Sequence, residues 1–390
     1  MKGRILILPS PPNSGSIGST VKFIGLAHDL IKEGFEIAFV LGGNVASLID
    51  KEKFKYYHCK PPIYNNSYVD IHNYVDFVEW TGMADVPYVE YATKRYTEII
   101  RDFKPDLIFT QSNPSACIAG NKERISVVQF ASTPSTPYFE ANKAAGDRLV
   151  TNFNGVLNKY HLPKLDHVCE LVFDRADKII VPSILELESD IKDFTNVQYG
   201  GAILNYSEEG KDTFEYEFDQ RPLIFIYTSM GALPIKMYSE IIKDAFQDGK
   251  YNVLCSTGFH FQREEIEASN ADNIKFVEYV NINQIIKRCS FVIFHGGQDM
   301  MLTTVLNEKP SIVLSGNHFE RSYNAAQMVK NNLTYWMHVS KFRPSKLVEI
   351  VDNHFNTYNR KALHNFSEII KSYNKNKTCI DIVKSVLSNI

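Results

Sequence analysis

The chain has 390 residues, 44% of them apolar and 22% charged, with a formal net charge of −3. That length suits two α/β domains better than one core. The missing basic excess speaks against a nucleic-acid binder, and no apolar run reaches the length of a membrane span. Six scattered cysteines (Cys59, Cys117, Cys169, Cys255, Cys289 and Cys379) form no Cys-x-x-Cys pair, which argues for reduced thiols over a disulfide framework or a zinc site. The opening segment Arg4-Ile5-Leu6-Ile7-Leu8 meets Pro9 and Ser10 at once, so it reads as a first strand and not as a signal peptide; the expectation is a cytoplasmic protein.

Arg4–Leu8 predicts a buried strand by its unbroken apolar character. A Pro/Gly/Ser-rich loop over 9–18 leads to a helix over 21–32, with Phe23, Ile24, Ala27, Leu30 and Ile31 on one face and Gly34 as its stop. A second strand over 36–41 completes a βαβ unit, the start of a parallel sheet. Residues 55–90 are rich in Tyr, Asn and Asp, carry little periodicity, and predict a long irregular excursion of the kind that often serves function. Beyond it the pattern predicts a helix over 91–103, strands over 105–110 and 126–130, a loop over 132–137, a helix over 165–176, and strands over 178–182 and 198–202. Residues 206–221 are polar and acidic and read as a linker.

The alternation then restarts with a strand over 222–227, the turn Thr228-Ser229-Met230-Gly231, a helix over 237–246, and strands over 252–255 and 274–277. A helix over 282–288, a strand over 291–294, a helix reaching 307, a strand over 311–314 and a helix through 324–330 follow, with helix expected for the remainder. The stretch Phe291-Val292-Ile293-Phe294-His295-Gly296-Gly297 is the most informative. A strand, a glycine turn and a helix N-terminus together offer backbone N–H groups and a helix dipole to an anion. The histidine adds a side-chain donor.

His295-Gly296-Gly297, Pro310 after the next helix, and Asn324-Ala325 beyond it recur at the spacing of the donor signature of the GT-B glycosyltransferases. The chain resembles most their family 1 branch, which holds the UDP-glycosyltransferases and the antibiotic and macrolide glycosyltransferases. Leu26-Ala27, Pro105-Asp106, Gly200-Gly201 and Thr228-Ser229-Met230-Gly231 extend the likeness over nearly the whole length. The resemblance implies an α/β fold of GT-B architecture, two Rossmann-like parallel-sheet domains facing across a cleft. Residues 1–205 would bind the acceptor through loops at 9–20, 55–90 and 110–140, and 222–371 would bind the nucleotide-sugar, with the helix over 372–390 crossing back to the first domain.

The activity implied is an inverting, metal-independent, hexosyl-type transfer from a dTDP- or UDP-sugar to a small-molecule acceptor. No cofactor, nucleic acid or membrane span is implied, and the protein would be a monomer or a homodimer. Ser229, Gly231, His295, Gly296, Gly297, Gln298, Asp299, Thr303, Glu320, Arg321 and Asn324 would line the donor site. Glu320 stands at the family's sugar-reading Asp and Arg321 at the adjoining Gln.

The departures are as informative. Met300 replaces a phosphate-facing Ser/Thr, and Thr303 stands where many UDP-sugar enzymes carry a Glu for the ribose, a lean towards dTDP. Ser19 falls at the family's catalytic His and Gln111 at its Asp partner. A serine hydroxyl is no general base at neutral pH. Three readings stay open: another base among Asp70, His72 and Glu79; an acceptor that barely needs one, such as a phosphate, carboxylate or acidic phenol; or a catalytically degenerate binding or partner protein. A nucleotide-sugar epimerase of the same architecture fits less well, because its His-Gly-Gly spacing differs.

Overall fold

The computed structural model describes residues 2–10, 17–63, 70–136, 143–204, 216–227, 235–257, 270–278 and 280–388. The chain divides into two compact units, Met1–Ser207 with Tyr373–Ile390, and Glu208–Ser372.

In the first unit the elements run β1 (Arg4–Leu8), α1 (Ile17–Lys32), β2 (Glu36–Leu41), α2 (Ala46–Glu52), β3 (Lys55–His58), α3 (Tyr74–Trp80), α4 (Val86–Phe103), β4 (Leu107–Gln111), α5 (Pro114–Glu123), β5 (Ser126–Phe130), α6 (Lys143–Lys159), α7 (Glu170–Phe173), β6 (Lys178–Val181) and β7 (Val197–Tyr199). The second unit continues with β8 (Leu223–Tyr227), α8 (Ile235–Phe246), β9 (Asn252–Ser256), β10 (Ile274–Val277), α9 (Ile282–Arg288), β11 (Phe291–Phe294), α10 (Gln298–Leu306), β12 (Ser311–Ser315), α11 (Phe319–Lys330), β13 (Tyr335–His338), α12 (Pro344–Thr357) and α13 (Arg360–Ser372); α14 (Lys377–Ser388) closes the chain.

The first sheet has the order β3-β2-β1-β4-β5-β6-β7 and the second β10-β9-β8-β11-β12-β13. Every pairing between these strands is parallel. Their central strands are apolar on both faces, as sheets covered by helices on both sides require. Local signals start several helices. Asn113 caps α5 by accepting from the Ala116 N–H at 3.3 Å, with Pro114 in the first turn, and Asn73 caps α3 through the Asp76 N–H at 2.9 Å.

α14 packs into the first unit, where Cys379, Ile380, Ile382 and Val383 join the core of Phe23, Phe39, Phe109 and Phe130. The Asn376 amide donates to Asp29 at 3.0 Å and to the Leu204 carbonyl at 3.2 Å. Gly201, at φ +76, gives Tyr373 its seat: a Cβ there would lie 2.4 Å from the Tyr373 Cβ.

Four sequence expectations need correction. The excursion at 55–90 holds edge strand β3, helix α3 and the first residues of α4. The helix expected over 165–176 is one turn, Glu170–Phe173. α6 went unread because Gly146 and Gly155 dilute its propensity, although Leu149, Phe153, Val156 and Leu157 are buried at helical spacing. The C-terminal remainder, expected to be all helix, includes β13 at the sheet edge. No described helix is long and apolar enough to cross a membrane.

Candidate functional site

In the second sheet strand order reverses between β8 and β11. Open α/β sheets bind ligands at the carboxyl ends of strands beside such a reversal. Phe294 ends β11 opposite Tyr227, the last residue of β8, and the next residue, His295, sets its ring 5.3 Å from that of Tyr227, centroid to centroid. The chain then turns through Gly296 at φ +93, a conformation glycine holds without strain. Gly297 caps α10, whose first 3.0 Å bond runs from the Met301 N–H to the Gly297 carbonyl. The N–H groups of the preceding turn therefore have no i−4 acceptor.

A second helix N-terminus closes on the same turn. A Cβ on Gly296 would meet the Arg321 carbonyl oxygen at 3.0 Å and the Arg321 Cβ at 3.2 Å, so the first turn of α11 lies directly against it. The buried Asn324 amide donates to the Gly296 carbonyl at 2.9 Å and fixes the turn. A Cβ on Gly297 would lie 2.7 Å from Nε2 of His295, so glycine is what leaves the imidazole its place.

The electrostatics follow from this crowding. His295 is half-buried, but its Nδ1 is fully enclosed and finds no hydrogen-bond partner among the described residues. Burial holds its pKa well below the usual range; Arg321 adds to the effect and His318 adds less, while a backbone bond to Tyr227 opposes it. His318, the α11 cap residue, is pushed down to about 3 by burial and then by Arg321. Both imidazoles are neutral at pH 7. The positive potential at the turn comes from the Arg321 guanidinium and two helix N-termini. Asp299 sits in the first turn of α10, where it suits the dipole and opposes an incoming anion.

The structure brings His295, Gly296, Gly297, Arg321 and Asn324 together. Gln298, Met300 and Thr303 are buried in α10, with the Thr303 carbonyl accepting from the Asn307 amide at 2.8 Å. Glu320 lies half-buried in the first turn of α11. Ser229 and Gly231 lie outside the described residues. Sequence reasoning passed over His318; its signal was a polar residue between an apolar strand and an amphipathic helix.

The first sheet reverses between β1 and β4. There the Ser19 hydroxyl donates to Gln111 Oε1 at 3.0 Å and accepts the Ser10 N–H at 3.3 Å. The two positions that the resemblance paired are thus direct neighbours, although far apart in the chain. Thr110 Oγ1 donates to the Leu8 carbonyl at 2.7 Å, and the Asn113 amide bonds Pro9 O at 3.5 Å and the Tyr96 hydroxyl at 3.3 Å. Ser112, at φ +45, holds a left-handed conformation uncommon for a residue with a side chain.

Asp70, His72 and Glu79 are exposed. Glu79 is paired with Arg148 of α6, and the His72 N–H donates to Asp76 at 2.9 Å. Among the described residues of this unit, Lys22 and Glu188 are charged and buried. Lys22 Nζ lies 5.8 Å from the Phe130 ring centroid, and Glu188 accepts the Thr133 N–H at 2.9 Å. Among the described residues, Glu308, His364 and Glu368 are spaced closely enough to share a metal ion. Lys371 lies 2.7 Å from Glu368 and 4.0 Å from Glu308, so the group is knit as an ion network at the surface.

Residues 229–378 match the family described as glycosyltransferase family 28 C-terminal domain. No curated protein matches the chain. Among solved structures, the glycosyltransferase of kitacinnamycin superposes with a TM-score of 0.80 at 13% identity, covering 99% of this chain and 99% of that one. The calicheamicin glycosyltransferase gives 0.72 at 13% identity over 100% and 99% of the two chains. A spinosyn rhamnosyltransferase complexed with thymidine diphosphate gives 0.67 at 14% identity over 98% and 100%. At such identities the likeness establishes the fold, and the fold is GT-B.

Proposed function

We propose that the protein is an inverting, metal-independent glycosyltransferase that moves a sugar from a dTDP- or UDP-sugar to a small natural-product acceptor in the cytoplasm. The observation that carries this reading is the convergence of two helix N-termini on the Gly296-Gly297 turn at the β8/β11 reversal. A nucleotide-sugar reacts by losing its diphosphate, and charge grows on the leaving oxygens as the glycosidic bond breaks. Fixed N–H donors and a guanidinium aimed at that charge lower the barrier without a metal. In this role neutral His295 acts as an N–H donor, and Arg321 supplies the charge. Glu320 accepts from sugar hydroxyls.

The second unit is then the donor domain and the first the acceptor domain. The family match over 229–378 and the thymidine diphosphate bound to one structural neighbour support this assignment. Placement in the family 1 branch rests on the motif likeness. A non-catalytic binding role is the rival, favoured by the Ser19–Gln111 pair and by Asp299 in the anion turn.

A thermal-shift series with UDP, dTDP, GDP and their glucose conjugates tests the donor site, since a ligand of the native state stabilises it by about 2.7 kcal/mol at a hundredfold excess over Kd and so raises Tm. We expect a shift with dTDP or UDP that His295→Ala loses. No shift with any nucleotide sinks the proposal; a shift without release of nucleoside diphosphate in any acceptor mixture leaves the binding role in its place.

A further inference from the structure

We infer that the acceptor oxygen arrives already ionised, so that the substrate is an oxyanion at neutral pH (an acidic phenol, a carboxylate or a phosphate) and not an alcohol. The inference rests on the transfer reading above and names the substrate class of that same acceptor unit. Its basis is the chemistry at the β1/β4 reversal. Residues 9–18, which follow β1, contain no acid, imidazole, thiol, phenol or amine, and neither do residues 111–116, which end β4 and follow it. The pair at the centre of this crevice is a hydroxyl and an amide, and neither takes a proton at neutral pH. Their hydrogen bonds are also committed: Ser19 gives its proton to Gln111 and takes the Ser10 N–H.

Among the described residues of this unit, the titratable groups do not replace the missing base: burial pushes the Tyr96 hydroxyl, bonded to Asn113, well above the usual phenol range, and Asp70 and His72 stand exposed on the excursion. Lys22 lies one turn along α1, and its ammonium, set against the Phe130 ring, donates and does not accept. Glu188 is fully buried and engaged with the Thr133 N–H. Glu79 is tied to Arg148. Cys117, on α5, is buried with its thiol pushed up to about 12.

With an ionised acceptor the step balances without a base. A lone pair of the acceptor O⁻ forms the new bond to the anomeric carbon, the bond from that carbon to the diphosphate oxygen breaks, and its electron pair leaves on the diphosphate. No proton moves. Such an acceptor needs polar surroundings and no base, and the Ser19–Gln111 pair is polar without being basic.

The test uses the intact wild-type protein with whichever of UDP-glucose or dTDP-glucose raises its melting temperature. Product formation is followed with 4-nitrophenol, phenol, benzoate, phenyl phosphate and benzyl alcohol from pH 6 to 9. Phenol ionises only near the tyrosine range, about 10. The inference expects transfer to the oxyanions, with 4-nitrophenol, benzoate and phenyl phosphate separating the three sources. It expects a kcat/KM for phenol that climbs about tenfold per pH unit with its ionised fraction. It expects no transfer to benzyl alcohol. The double variant Ser19→His, Gln111→Asp, which installs an imidazole and its orienting carboxylate, should gain benzyl alcohol as an acceptor, with a profile rising near pH 6.5. Wild-type transfer to benzyl alcohol within tenfold of 4-nitrophenol overturns the inference. So does a single profile shared by all acceptors, which would report a side-chain base, and so does a donor that binds but is passed to none of the oxyanions. A donor that produces no thermal shift defeats the transfer reading itself, a distinct result.

Discussion

Gly296 and Gly297 stand side by side yet are needed for different reasons, and alanine at each should separate them. At Gly297 the added methyl would meet the far end of the His295 ring, 2.7 Å away, in a backbone conformation that any residue adopts. The imidazole can swing aside, so Gly297→Ala should change stability by under about 1 kcal/mol while abolishing nucleotide binding. At Gly296 the methyl would meet the Arg321 carbonyl and the Val313 side chain from a φ of +93, and neither strain is easily relieved. Gly296→Ala should therefore lose about 1–3 kcal/mol of unfolding free energy. Urea titration and calorimetric titration with dTDP or UDP check both; equal stability losses would mean that the imidazole is not the part that yields. This turn was legible in the sequence because its chemistry is local: two glycines between an apolar run and a helix. Ser19 and Gln111 were found only through spacing borrowed from a family, since nothing in either residue's neighbourhood announces a partner across the sheet reversal.

α11 carries its cap residue into an environment that disfavours charge, and this makes the second unit acid-sensitive. His318 at the cap, His295 facing the same turn and His354 on α12 all have folded pKa values below the ordinary histidine value, with burial the first cause in each. The unfolded chain binds protons at these positions first as pH falls through about 6.5, so stability is complete above that pH and declines below it, for His318 down to about 3. A positive charge at the α11 N-terminus also opposes the helix dipole. Between pH 7 and pH 5 the loss from His318 should reach about 1–2 kcal/mol. His318→Asn keeps a polar cap and cannot take the proton, so its urea midpoint should fall less over that interval than the wild type's. An unchanged slope would mean that His318 titrates normally. Elements were legible where one signal dominated. The central strands are unbroken apolar runs, whereas α6 was diluted by glycines and β13, Tyr335-Trp336-Met337-His338, offers an edge strand's mixed burial with no alternation to read.

At the scale of the whole molecule, the two parallel sheets could be inferred from the alternation of strands and helices, but not the strand orders that put β4 beside β1 and β11 beside β8. Those orders are set by long-range pairing, and they decide where both crevices lie. The path of the chain end has the same character. α14 follows α13 in sequence with a short connection, yet its apolar side completes the core of the first unit through Cys379, Ile380, Ile382 and Val383. Each large apolar side chain returned to water costs about 1.5–3 kcal/mol, and a domain's whole margin is about 5–15 kcal/mol. A chain ending at Ser372 should therefore unfold in its first unit, nearly the full sequence away from the cut, while the second unit keeps the core built on Tyr238, Phe246, Phe276 and Phe291. Hydrogen exchange mapped by residue is the suitable readout. Amides of β1, β4 and β5 should lose protection, and those of β8, β9 and β11 should keep it. Ile382→Asp should reproduce the pattern in the full-length chain, which separates the loss of core contacts from the loss of the segment itself. Retained protection in β1 and β4 in both proteins would show that α14 only rests on a sheet already stable without it.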